Sequence, residues 1–362
     1  MIELMETPDF DPELLKEIQK VHDGVQVESK LIKLAHWIRE EYGATMIQAL
    51  QTVLPVKQKI KQKETKLLFR VCTKEEAISL ATVFEKKHQP AKARLLRALA
   101  EDEEISCSLL KEKLSISAST IHSLKKAGLV EETSLRAYRN PLKEQEGTKE
   151  GKKLSISQQT IVDSIWADYE NDIRKTYLIH GITGSGKTEV YMTLIEKVIA
   201  RKKAVIMLIP EIALTFQTVM RFQRRFGDRV SILNSTLSLG EKYDQCERAK
   251  KGEIDIIIGP RSALFTPFEN IGLILIDEEH ENTYKSESMP KYHAREVAEE
   301  LARLHGASVI LGSATPSLES YYKAKNGEYG FFVLKERVTV GNVPPVTLSF
   351  KTKKPYSPFF AL

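Results

Sequence analysis

Gly181-Ile-Thr-Gly-Ser-Gly-Lys-Thr188 is the stretch that decides the fold. It is a complete Gly-x-x-x-x-Gly-Lys-Thr phosphate loop, and both of its flanks fit. Before it, Thr176-Tyr-Leu-Ile-His180 is a short apolar run suited to a buried strand. After it, Val190, Leu194, Ile195, Val198 and Ile199 fall on one side of a helix. Gly181, Gly184 and Gly186 permit a tight loop, so that the backbone from Gly181 through Thr183, Gly184, Ser185 and Gly186 can turn its N–H groups onto phosphate oxygens. The helix N-terminus adds its dipole. Lys187 is placed to reach the β- and γ-phosphates, and Thr188 to hold magnesium by its hydroxyl.

A second apolar strand, Leu273-Ile-Leu-Ile276, ends in Asp277-Glu-Glu-His280. In isolation such a run equally describes a solvated turn. Its order and distance after the phosphate loop give it meaning. Asp277 is the expected magnesium ligand, directly or through water, and Glu278 the residue that polarises an attacking water. His280 fits either a γ-phosphate sensor or a surface histidine. The chemistry implied is hydrolysis of a nucleoside triphosphate, with ATP and Mg²⁺ at the site and Lys187, Asp277 and Glu278 as the catalytic group.

The strands Ala204-Val-Ile-Met-Leu-Ile209, Val230-Ser-Ile-Leu233, Ile254-Asp-Ile-Ile-Ile258 and Ser308-Val-Ile-Leu311 alternate with helical segments. That pattern predicts an α/β domain of the P-loop NTPase (RecA-like) class with a doubly wound, mainly parallel sheet. Ligands belong at the C-terminal edge of such a sheet. The remaining motifs fall there: Pro210-Glu-Ile-Ala-Leu-Thr215, Gly259-Pro-Arg-Ser-Ala-Leu-Phe265 and Gly312-Ser-Ala-Thr-Pro-Ser317.

At 362 residues the chain is expected to hold about two or three domains. A hydrophobic content of 42% and a charged content of 28% are those of a soluble globular protein. No apolar run approaches a membrane span, and the start lacks a signal peptide's features. Cys72, Cys107 and Cys246 are too few and too scattered for a disulfide framework or a zinc site. A reducing cytoplasm fits. The net charge of +5 permits nucleic-acid binding without requiring it.

The α/β region spans 154–340. Ahead of it, residues 89–141 read as helix, turn, helix, turn, helix and a short extended end. Ser117-Ala-Ser-Thr-Ile-His-Ser-Leu-Lys-Lys-Ala-Gly-Leu-Val130 resembles a winged-helix third helix entering its wing, with a Ser start and a Gly stop. A purely structural three-helix module is the rival reading. Residues 142–153 form a charged linker and 341–362 an atypical tail. In region 1–88, Leu31, Leu34, Ala35, Ile38 and Tyr42 mark a helical stripe. Lys57, Lys59, Lys61, Lys63 and Lys66 follow, either as a solvated loop or as a line of cations against a phosphate backbone.

Taken together, Gly181 through Thr188-Glu-Val-Tyr191, Leu208-Ile-Pro-Glu-Ile-Ala-Leu-Thr215, Gly259–Phe265, Asp277–His280 and Gly312–Ser317 resemble the first motor lobe of a superfamily-2 helicase. Their wording is similar to that of the PriA family, the primosomal protein N-prime helicases that restart stalled replication forks. The resemblance covers Leu154 to about Val340. It extends less closely through the winged-helix region and back to Leu31–Pro55, which resembles the end of that family's N-terminal DNA-binding domain. It implies an ATP-dependent 3'-to-5' DNA helicase acting in replication restart and primosome assembly. The implied partners are single-stranded and forked DNA, primosome proteins and single-stranded-DNA-binding proteins, with no membrane. It also implies that Gln158 contacts adenine. Thr215, Gly259, Arg261 and Ser262 would lie along single-stranded DNA, touching phosphates rather than base edges. Tyr284 and Lys285 fall where the family has an aromatic-rich loop linking DNA occupancy to hydrolysis, and Ser313 and Thr315 would couple the two sites.

The family also has a second motor lobe, which carries an arginine finger, and cysteine pairs that hold two zinc ions. Neither is visible in these residues. The expectation is therefore an internal stretch or an early-ended product that binds ATP and DNA with little unwinding, because an arginine finger is worth ~10³–10⁵ in turnover. Two other readings stay open: a P-loop ATPase that remodels proteins, and a DNA- or primosome-binding module without helicase activity.

Overall fold

The computed structural model describes residues 29–54, 64–136, 139, 141–142 and 153–337. Lys57, Lys59, Lys61 and Lys63, most of the linker and the 341–362 tail lie outside the described residues.

Two helices come first, α1 (Ser29–Tyr42) and α2 (Met46–Val53). The expected stripe is buried at Leu31, Leu34, Ala35 and Ile38. Thr45 starts α2 with a reciprocal capping box to Gln48. Both helices share a core with residues of the large sheet such as Ile274 and Ile276. The Tyr42 hydroxyl donates to Glu296 and accepts the His293 N–H.

A small module follows: β1 (Glu64–Arg70), α3 (Lys74–Lys86), α4 (Pro90–Glu101), β2 (Glu104–Ser106), α5 (Cys107–Leu114), α6 (Ala118–Lys126) and β3 (Val130–Arg136). Its sheet has the order β2-β1-β3 and is antiparallel. Leu68 of β1 and Ala81 of α3 share one core with Leu95, Leu99, Leu110 and Leu124. The division of the chain expected near residue 88 therefore falls inside a packed unit. The three helices after Pro90 form where expected, with Ser117 capping α6 and Gly128 at φ +67° beyond its end. Their partner strand β1 comes from far away in sequence, which local pattern does not reveal. Lys66, the last of the basic run, lies on β1 and pairs with Glu132 of β3 at 2.7 Å. With Lys125 on its other side, the Glu132 carboxyl is held down at about 2.

The large unit runs through α7 (Ile156–Glu170), β4 (Thr176–Gly181), α8 (Lys187–Ala200), β5 (Ala204–Leu208), α9 (Phe216–Phe226), β6 (Val230–Ile232), α10 (Leu239–Lys250), β7 (Ile256–Gly259), β8 (Ile271–Asp277), α11 (Ala294–His305), β9 (Ser308–Ser313), α12 (Leu318–Lys325) and β10 (Gly330–Leu334). The seven strands are all parallel, in the order β10-β4-β9-β8-β5-β7-β6. The central residues of β4, β5, β7, β8 and β9 are buried on both faces, as a parallel sheet requires. One face packs on α7 and α8, the other on α11 and the first two helices. The order reverses on either side of β4, and the phosphate loop leaves the sheet there. Strand β10 is an edge strand that the sequence pattern left unassigned. The backbone N–H and guanidinium of Arg139 both donate to the buried Asp244 of α10 at 2.9 Å.

Candidate functional site

The phosphate loop joins β4 to α8. Gly184 and Gly186 take φ of +83° and +81°, a conformation that side chains rarely adopt. Gly181 answers to space: a Cβ there would lie 2.7 Å from Ser185 Oγ and 3.2 Å from Lys187 Cγ. The lysine stem therefore runs over a bare backbone. Lys187 is buried, and its ammonium donates to the Gly181 carbonyl at 2.7 Å. Ser185 Oγ is buried and meets no hydrogen-bond partner among the described residues. Gln158 is buried behind the loop. Its Oε1 closes the α7 capping box with Ser155, and its Nε2 donates to the Ser185 carbonyl at 2.9 Å. Thus the residue expected beside adenine is engaged at both ends of its amide and supports the loop from behind.

Asp277 ends β8 and Glu278 begins the turn after it. Both line one cavity of 460 Å³ with Gln158, Thr183, Lys187 and Thr188. Burial, then the charge of Glu278, raises the Asp277 carboxyl to about 6. Glu278 has φ +46°, a left-handed backbone in a residue other than glycine. Such strain costs of order 1 kcal/mol and collects at functional sites. It turns the Glu278 carboxylate back toward Lys187, 3.7 Å from the ammonium. A buried ammonium, a glycine-rich loop at a helix N-terminus, a hydroxyl and two carboxylates fit a nucleoside phosphate with its divalent cation. Thr188 and Asp277 are the residues that would hold the cation.

His280 Nδ1 lies 2.8 Å from Ser313 Oγ, and that hydroxyl accepts the Thr315 N–H at 3.0 Å. The acid motif is thus joined to the loop after β9. A second joint was not visible in the sequence. Glu279 is fully buried. It accepts from the Ser317 N–H at 2.7 Å, from the Ser317 and Ser320 hydroxyls at 3.0 and 2.9 Å, and pairs with Arg295 at 3.3 Å. Nothing local in Asp-Glu-Glu-His separates this structural acid from the two that face the cavity. Tyr191 was also missed: its hydroxyl donates to Asp277 Oδ1 at 3.2 Å. So was Arg221, which lines the cavity while paired to Glu189 of α8.

Along the same sheet edge a groove of 560 Å³ is lined by Glu211, Lys242, Arg261, Ser262, Thr283 and Lys285, among others. Ser262 and Lys285 are exposed in it. The Arg261 guanidinium donates to the Thr283 and Lys285 carbonyls at 2.9 and 2.6 Å, and so braces the loop after the acids. It also borders a smaller cavity of 280 Å³ with Gln48, Gln51 and Thr52 of α2. Of the other residues expected on a nucleic-acid track, two are buried and one is exposed. Gly259 is buried, because a Cβ there would lie 2.2 Å from the Leu233 carbonyl oxygen. Tyr284 turns its ring inward, 1% exposed, and donates to the Asp277 carbonyl at 2.7 Å. Thr215 is exposed, and its hydroxyl caps α9 by accepting the Thr218 N–H.

A strand, a phosphate loop, a helix and a partner acid on the C-terminal edge of a parallel sheet define a P-loop NTPase of α/β fold. Residues 151–318 match the family described as Type III restriction enzyme, res subunit, and residues 1–55 match the PriA 3'DNA-binding domain (3'BD). The replication restart protein PriA of Bacillus subtilis is 42% identical over 302 residues, covering 82% of this chain and 38% of its own. That of Chlamydia pneumoniae is 38% identical over 326 residues, covering 88% and 43%. Among solved structures, RecG bound to a three-way DNA junction covers 74% of this chain and 30% of its own, at 18% identity and a TM-score of 0.41. The chain belongs to the PriA family of replication restart proteins, and spans less than half the length of these curated relatives.

Proposed function

We propose that this chain binds ATP with Mg²⁺ at Lys187 and uses it as the motor lobe of a DNA helicase acting in replication restart. The observation that carries the reading is the convergence of Lys187, Thr188, Asp277 and Glu278 on one cavity. In this reading the loop N–H groups and the Lys187 ammonium hold the β- and γ-phosphates and stabilise charge that develops on the transferring phosphoryl group. The cation supplies neutralisation of phosphate charge and orientation of its oxygens. Glu278 accepts a hydrogen bond from the attacking water and draws its proton. Gln158 borders the base. The His280–Ser313–Thr315 link carries the state of the acids to the sheet edge where Arg261, Ser262 and Lys285 meet single-stranded or forked DNA. Translocation from 3' to 5', and primosome and single-stranded-DNA-binding partners, come with the family. For these 362 residues alone we propose slow hydrolysis and little unwinding, because Arg221, the arginine that lines the cavity, is already held by Glu189.

ATP turnover with and without forked DNA tests the reading. Turnover that rises with DNA, and falls at least about 100-fold in Glu278→Gln while ATP binding persists, is expected. Turnover indifferent to DNA would favour an ATPase that acts on proteins. ATP and DNA binding without any turnover would favour a binding module.

A further inference from the structure

We propose that the Tyr191 hydroxyl is a positioning group for the Asp277 carboxylate, and that it sets the direction in which that carboxylate meets the divalent cation of a bound nucleotide. The proposal rests on the nucleotide reading above. Tyr191 lies about one helical turn beyond Lys187 on α8. Its side chain is 1% exposed and runs under the end of the sheet, outside the cavity lining. There its hydroxyl donates to Asp277 Oδ1 at 3.2 Å.

Room for that hydroxyl exists because position 312 has no side chain. Gly312 pairs with Asp277 in the β8–β9 register. A Cβ on it would lie 1.6 Å from the Tyr191 oxygen and 3.4 Å from Asp277 Oδ1. Strand backbone of this kind suits any residue, so the glycine answers to the tyrosine rather than to φ. From the other side, Tyr284 fixes the main chain of the same residue by donating to the Asp277 carbonyl at 2.7 Å. One tyrosine thus holds the strand's last carbonyl and another its carboxylate. The terminal torsion of an aspartate is broad and roughly two-fold. A hydrogen bond to one oxygen selects a single carboxylate plane, and partners of this kind on metal-ligating carboxylates are worth about 10–100-fold in metal affinity. A tyrosine kept only to fill the core would be replaced by phenylalanine without consequence for the cation.

The test is ADP binding to the full chain, measured in EDTA and across a Mg²⁺ titration, with the melting midpoint as a check of folding. For Tyr191→Phe, the Mg²⁺ concentration that gives half of the metal-dependent gain in affinity should rise about 10-fold, with metal-free ADP binding unchanged. Gly312→Ala, which pushes the hydroxyl off Asp277, should give the same shift with Tyr191 intact. In an Asp277→Asn background, Tyr191→Phe should add nothing. A wild-type Mg²⁺ midpoint in either folded variant would overturn the proposal, and either variant decides alone if the other does not fold. Failure of the nucleotide reading shows differently, as ADP binding in EDTA that is absent from wild type or indifferent to Lys187→Ala.

Discussion

Three consecutive acids do three different things in Asp277-Glu278-Glu279. Asp277 ends a buried strand with its carboxyl raised to about 6 by burial and by Glu278. Glu278 takes a left-handed backbone that brings its carboxylate near Lys187. Glu279 lies outside the cavity that those two line, and its carboxylate meets two hydroxyls, an N–H and Arg295. Removing one partner of a buried ion pair leaves the other charge uncompensated, at a cost of about 3–5 kcal/mol. Glu279→Ala should therefore lower stability by that order in chemical denaturation, whereas Glu278→Ala, which removes a partly exposed like charge from beside Asp277, should cost less than about 1 kcal/mol or even stabilise. Equal losses in the two variants would show that the division of labour among the acids is misassigned.

At the scale of elements, the docking of α1 depends on a histidine that must stay neutral. His305 Nδ1 accepts the Ile271 N–H at 3.2 Å and faces the Lys30 ammonium at 3.1 Å. Burial first, and Lys30 second, push its imidazole down to about 4. The unfolded chain takes up a proton near 6.5, well before the folded one does. This contribution to stability is therefore complete above about pH 6.5 and is lost as pH falls toward 4. Between pH 7.5 and 5 the loss, reduced for partial solvent screening, is about 1 kcal/mol. His305→Gln should flatten the fall in melting midpoint over that range; an unchanged slope would mean that other groups dominate it. Elements also show where sequence legibility ended. The phosphate loop, five further strands and the three helices after Pro90 are written in local periodicity and cap residues, and they form where expected. Pairing of β1 with β3, the edge strand β10 and the docking of α1 on α11 depend on contacts between distant segments. The same holds for the site. Lys187, Thr188, Asp277 and Glu278 announce themselves by motif, whereas Tyr191, Glu279 and Arg295 gain meaning only once β8, β9, α8 and α11 are packed together.

For the whole molecule, two cavities share the C-terminal edge of one sheet. The first gathers Lys187, Asp277 and Glu278; the second gathers Lys242, Arg261 and Lys285. Tyr284 lies between them, lining the groove and donating to the Asp277 carbonyl. If the groove follows a phosphate backbone, single-strand affinity should fall with salt by a logarithmic slope of about −0.7 for each phosphate neutralised. Lys285→Ala and Lys242→Ala should each reduce that slope by about 0.7, without changing preference between sequences. A slope unaltered in both variants would place the strand elsewhere. No helix among the described residues is long and apolar enough to cross a membrane.

The cavity at the end of β4 is the proposed nucleotide site, built on Lys187. Titration calorimetry of the full chain with ATP and Mg²⁺ tests it most directly, comparing wild type with Lys187→Ala. Removal of a buried ammonium that meets phosphate oxygens should weaken binding by about 2–3 kcal/mol, which is roughly 30- to 150-fold. Equal affinity in the two proteins, or no binding by the wild type, would show that Lys187 holds no nucleotide phosphate.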